Sequence, residues 1–177
     1  DTEHVISSSD PGLVVGKIKF ASLKDTEEII KKAHDHYQAG SWANNSWQER
    51  CSVMINVANI LLSKRLYLAS LIVYEAGKTI SEAIADVDEA IDFVNFYLRE
   101  EKRLVQNSLH LLNRGVVAVI SPWNFPIAIS CGMTTAPLVA GNTVILKSAE
   151  STPLIAQCLV DIFYEAGLEK GALTHCP

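Results

Sequence analysis

Gly115-Val116-Val117-Ala118-Val119-Ile120-Ser121-Pro122-Trp123-Asn124-Phe125-Pro126 reads as a buried strand that runs into a turn of polar and aromatic groups. After a long apolar stretch, a second strand, Thr143-Val144-Ile145-Leu146, delivers Lys147 and Glu150 at its carboxyl end. Helices are predicted over about 126–140 and 153–166. Strand, helix, strand, helix in that order is the βαβ unit of a parallel sheet. Ligands of open parallel sheets bind beyond the carboxyl ends of the strands. Both polar clusters lie at such ends, so one ligand can touch both.

Upstream, Asp10-Pro11-Gly12 marks a turn before a strand-like run from Leu13 to Ile18. Asp25 with Glu28 three positions on predicts a capped helix ending at Gly40, and Ser46 with Glu49 predicts a second capping box. From there one long helix is expected, its stripe traced by Val53, Val57, Ile60, Leu61, Lys64 and Leu68 and its end set by Gly77. A third helix begins at Thr79 or Ser81. It carries Ile84, Val87, Ile91, Val94 and Leu98 on one face, with Glu82, Asp86 and Glu89 on an acidic other face. Leu109-His110-Leu111-Leu112 reads as a further strand.

Composition narrows the classes. With 177 residues and 49% hydrophobic content the chain can bury a core, and disorder is not expected. A net charge of −5 gives no basic footprint for nucleic acid. No run approaches the roughly 18–20 uninterrupted apolar residues of a membrane span. Cys51, Cys131, Cys158 and Cys176 form no Cys-x-x-Cys pair, which speaks against a zinc site or a disulfide framework and for a cytoplasmic setting. His34 and His36, two apart on a helix, point in different directions; they read as solvated surface, and no metal site is expected.

The segment 115–150 resembles the aldehyde dehydrogenase superfamily. Colinear matches continue through Glu75-Ala76-Gly77-Lys78, Thr152-Pro153-Leu154-Ile155-Ala156 and Glu165-Ala166-Gly167, so the resemblance covers nearly the whole chain. One departure is Lys147-Ser148-Ala149-Glu150 where the family usually has Lys-Pro-x-Glu, a loss expected to loosen the strand exit. The resemblance implies an α/β chain: the amino-terminal part of an aldehyde dehydrogenase fold, helices followed by the start of a Rossmann-like, NAD-binding parallel sheet. On that reading residues 1–177 are a fragment holding a partial NAD-binding domain, with the catalytic domain absent and a further strand to follow. It also implies a homo-oligomer assembled through a strand at about 104–114.

The resemblance assigns roles residue by residue. Asn124, which alone would read as a turn residue or helix cap, becomes the side-chain donor to an oxyanion. Ile120, Ser121, Pro122 and Trp123 become the wall against NAD. Lys147 and Glu150, otherwise a solvated pair at a strand end, become ligands of the adenosine ribose, the carboxylate favouring NAD over NADP. Cys131 lies in an apolar helix with no His or Lys beside it to lower its pKa, and reads as a buried small residue. In the family the nucleophile and the general base lie beyond the residues present here. Glu75 and Lys78 read as structure rather than site.

Ala128-Ile129-Ser130-Cys131-Gly132 and Glu89-Ala90-Ile91-Asp92-Phe93, leading to Phe96-Tyr97, lean toward the branch that oxidises glutamate γ-semialdehyde, the open form of pyrroline-5-carboxylate, and toward proline utilization A proteins. There Glu89 and Phe125 line the substrate pocket. The expected activity is NAD-dependent oxidation of that aldehyde in proline catabolism by the intact protein, the fragment alone being inactive. A stand-alone nucleotide-binding or interaction module, or a CoA-acylating dehydrogenase, are the alternatives.

Overall fold

In a computed structural model, residues 2–107 and 112–177 are described. Two strands, β1 (Thr2–Ile6) and β2 (Val14–Lys19), pair antiparallel across the Asp10-Pro11-Gly12 turn, where Leu13 N–H donates to the Asp10 carbonyl at 3.0 Å. The sequence reading found β2 but not β1, whose side chains are nearly all exposed and carry no burial pattern.

Four helices follow: α1 (Leu23–Ala39), α2 (Trp47–Ser63), α3 (Arg65–Ala76) and α4 (Ile80–Gln106). Ser46 with Glu49 and Thr79 with Glu82 form the capping boxes of α2 and α4. The box of α1 sits one step earlier than expected: Ser22 is the N-cap and Asp25 is its N3 partner. The single long helix expected over 46–77 is two helices. Lys64 leaves helical geometry (φ −97°, ψ 10°), and the axes bend by 70° there. The bend lets Leu61 on α2 and Leu68 and Ile72 on α3 all bury completely while following different directions. Gly77, in the left-handed region at φ 70°, ends α3.

Residues 104–106, grouped above with an oligomerisation strand, close α4 instead. Leu109, His110 and Leu111 of that strand lie outside the described residues; Leu112 is in no strand and is 89% exposed.

The expected βαβ alternation is present: β3 (Val116–Ile120), α5 (Ala128–Val139), β4 (Thr143–Lys147), α6 (Pro153–Glu165). A third strand, β5 (Leu173–His175), completes a parallel order β3-β4-β5 within this chain. Val144 and Leu146 face a core shared with α2–α6, while Ile145 faces Ala33 of α1, so β4 is apolar throughout because both its faces are covered. Helix α5 is held at both ends by side chains. Asp86 accepts the Ala128 N–H at 2.9 Å. At the other end Asn142 donates to the Pro137 carbonyl, the Trp42 indole to Leu138 at 2.9 Å, and Arg50 to Val139 at 2.7 Å. Glu75, at the end of α3, accepts the N–H groups of Leu154 and Ile155 at the start of α6 at 2.7 and 2.9 Å, which makes it a fold residue as expected.

Candidate functional site at the carboxyl rim of the sheet

Parallel pairing puts Ile120 level with Lys147, and Ser121 N–H donates to the Lys147 carbonyl at 3.1 Å. The two chains therefore leave the sheet side by side. On this rim the Ile120 side chain is 70% exposed and Trp123 61%, apolar surface at the end of a strand that is only partly covered: of β3, expected to be buried, Val119 alone is buried, and Ala118 and Ile120 are exposed. Pro122 is half-buried between them, and Asn124 and Phe125 are exposed. The Lys147 ammonium lies 3.5 Å from the Glu150 carboxylate, whose side chain is open to solvent. Ser121 is buried, and its hydroxyl has no partner among the described residues. An apolar shelf, an orphaned hydroxyl and a paired cation and anion on one rim fit an adenine nucleoside with ribose hydroxyls.

Lys78, read from the sequence as structure, reaches this rim. Its ammonium donates to Asp86 at 3.0 Å and to the Asn124 carbonyl at 3.0 Å, and lies 4.3 Å from the centre of the Phe125 ring. Asp86 is not on a solvated acidic face, as its spacing with Glu82 and Glu89 suggested; its side chain is fully buried. Burial pushes its carboxyl up, while the Ala128 amide and Lys78 hold it down. The available signal was a charge flanked by Ala83, Val87 and Ala90, all on the buried side of α4. Partner and charge belong to different elements, which concealed the pairing.

Glu89, exposed, lies one turn beyond Asp86 on α4 and opens a groove of about 780 Å³ shared with Asp92, Phe93 and Arg99. Phe93, one further turn along, packs against Gly132 of α5 so closely that an added Cβ would stand 2.9 Å from its ring. That contact explains the glycine at 132. Glu89 lies on α4 and Phe125 in the turn ahead of α5; both are open to solvent, and Phe125 is not among the residues lining the groove that Glu89 opens.

Ser148 does not loosen the strand exit. It is buried, and its hydroxyl bonds His175 Nε2 of β5 at 2.9 Å, while His175 Nδ1 meets Gln157 of α6 at 2.8 Å. Burial pushes the His175 imidazole down to about 4. The hydrogen-bonded chain does by side chains what a proline ring would do by a fixed φ. Cys131 is fully buried beside the Ala90 carbonyl and Thr135, and its thiol is pushed up to about 12 by burial, so it is no nucleophile. His34 is exposed as expected, but His36 is half-buried, with Nε2 lacking a partner among the described residues and the ring packed on Gly171.

The model of the aldehyde dehydrogenase family matches residues 1–177. A 1-pyrroline-5-carboxylate dehydrogenase of Staphylococcus aureus (strain MW2) is 39% identical over 183 residues, covering 97% of this chain and 35% of that protein. Two solved structures each superpose with a TM-score of 0.91 over 100% of this chain. One is proline utilization A from Bdellovibrio bacteriovorus inactivated by N-propargylglycine, 35% identical and covered over 20% of its length. The other is 1-pyrroline-5-carboxylate dehydrogenase from Thermus with bound NAD, 30% identical and covered over 37%. The chain spans 35% to 36% of the length of the curated relatives it matches. With the whole of its described residues following that fold, the chain belongs to the aldehyde dehydrogenase family.

Proposed function

We propose that the enzyme containing this chain oxidises L-glutamate γ-semialdehyde to glutamate with NAD, and that this chain supplies the oxyanion donor and the adenosine rim. The observation that carries the reading is the convergence of 120–125 and 147–150 at the ends of two adjacent parallel strands. Asn124 holds a neutral carboxamide on an exposed turn, where it can donate to an aldehyde oxygen as negative charge develops on it. A carboxamide stabilises that charge through its N–H while keeping the proton and staying neutral. Ile120, Ser121, Pro122 and Trp123 would pack the nucleotide, and Lys147 and Glu150 would bind its ribose hydroxyls. When bound, NAD supplies the hydride acceptor. Glu89 and Phe125 would flank the substrate, the carboxylate suited to an α-ammonium group and the ring to the methylene chain. The nucleophile comes from residues outside this chain, which alone turns over no aldehyde. Homo-oligomeric assembly in the cytoplasm completes the proposal.

Substrate choice tests it. In the intact enzyme, kcat/KM for glutamate γ-semialdehyde is expected to exceed that for butanal by more than about 100-fold, beyond what an apolar pocket alone achieves and toward the roughly 10⁴–10⁵-fold of a site built to hydrogen-bond its substrate. Equal values would refute the substrate assignment. Cofactor choice is a separate test. Glu150→Gln keeps an acceptor and removes the charge that repels a 2′-phosphate. The ratio of kcat/KM for NADP to that for NAD should then rise by about 5- to 30-fold, equivalent to about 1–2 kcal/mol. An unchanged ratio at matched ionic strength would mean that Glu150 does not face the ribose.

A further inference from the structure

We propose that Lys78 is a positioning residue for Asn124, held to that task by Asp86; the inference rests on the oxyanion role assigned to Asn124 above. Lys78 sits in a connection whose two ends are both fixed. Gly77 before it closes α3, and Thr79 after it caps α4. Its side chain is 15% exposed and that of Asp86 0%. An ammonium has three N–H donors and no acceptor. Here one goes to the Asp86 carboxylate and one to the Asn124 carbonyl, while the charge faces the Phe125 ring. The second Asp86 oxygen takes the Ala128 amide.

The pair thus grips the turn 124–128 on both sides. Lys78 holds its entry by a carbonyl and Asp86 holds its exit by an N–H. Between Ser121, tied to Lys147, and Phe125, whose carbonyl starts α5, the backbone is held at Asn124 by Lys78. A carboxamide on an exposed turn can face a developing oxyanion only if the peptide that carries it is fixed. A displacement of about 1 Å can cost up to roughly 100-fold in rate.

A purely stabilising ion pair would show the same contacts but different kinetics, and a double-mutant cycle separates the two. In the intact enzyme Lys78→Met keeps the aliphatic stem and removes the charge. It should lower kcat by about 10- to 100-fold and leave the KM for NAD within about 2-fold. In an Asn124→Ala background the same change should cost less than about 2-fold, because the group it positions is gone. Lys78→Arg, which retains a donor to both partners, should recover part of kcat. If Lys78→Met will not fold, Lys78→Met/Asp86→Asn leaves a neutral pair with an acceptor for Ala128 and enters the same cycle. Near-normal kcat in the Lys78 variant, or equal fractional losses in both backgrounds, would overturn the positioning role. Normal kcat in Asn124→Ala would remove the oxyanion reading and this one with it.

Discussion

Replacing Asn124 by alanine in the intact enzyme is expected to lower kcat by about 10²–10³-fold, the usual loss for one oxyanion donor. The Kd for NAD should hardly move, because the rim assigned to adenosine is built from Ile120, Lys147 and their neighbours. The Asn124 side chain is exposed, so its removal leaves no cavity and should shift stability by no more than about 0.5 kcal/mol. A fall in kcat with an unchanged melting temperature therefore reads the chemistry and not the fold. Single-turnover measurement of hydride transfer is the direct check, and a variant that retains a near-normal rate would refute the role.

The second large effect is one of stability against pH. Burial pushes the Glu75 carboxyl up from 4.5 to about 7, although the Leu154 and Ile155 amides hold it down. At low pH the group is neutral in folded and unfolded chains alike. As pH rises, the unfolded chain releases the proton near 4.5 and the folded one keeps it until about 7, so the stabilisation present below 4.5 is lost across that window. At about 1.36 kcal/mol per pH unit the loss is on the order of 3 kcal/mol. His175 titrates with the opposite sign. Its pKa is depressed, so its contribution is complete above 6.5 and is lost as pH falls toward 4. Comparing the protein with its Glu75→Gln variant cancels the histidine, which both share. The wild type should lose stability relative to the glutamine variant as pH rises from 4.5 to about 7 and hold level above that, followed by urea midpoints. A gap independent of pH would show that the carboxyl ionises normally in the fold.

Elements that depend on local pattern were legible in the sequence. The strands β3 and β4 followed from short apolar runs beside turn residues, and the cap at Ser46 from Glu49 three residues on, whereas the start of α4 was narrowed only to Thr79 or Ser81. The cap of α1 was misplaced because Ser22-x-x-Asp25 and Asp25-x-x-Glu28 both satisfy the capping pattern, and the exposed Leu23 gives no apolar cue to choose between them. The break at Lys64 was hidden because the apolar spacing runs on through it without a glycine or proline. Long-range polar pairings were invisible in principle. Ser148 with His175, Glu75 with the start of α6, and Lys78 with Asn124 join residues that only the topology brings together. At the site, the residues on the rim were readable from their motifs, whereas those that support the rim were not.

Helices ordinarily loosen from their ends, where several amides and carbonyls lack a partner within the helix. The two ends of α5 are engaged from outside the helix: by the distant Asp86 at the first turn, and by the distant Trp42 and Arg50 with the adjoining Asn142 at the last. Terminal fraying, the cheapest route by which amide hydrogens meet solvent, is thereby closed to it. Its slowest-exchanging amides should report the opening of the entire helical layer, and α5 then counts among the last segments to come apart.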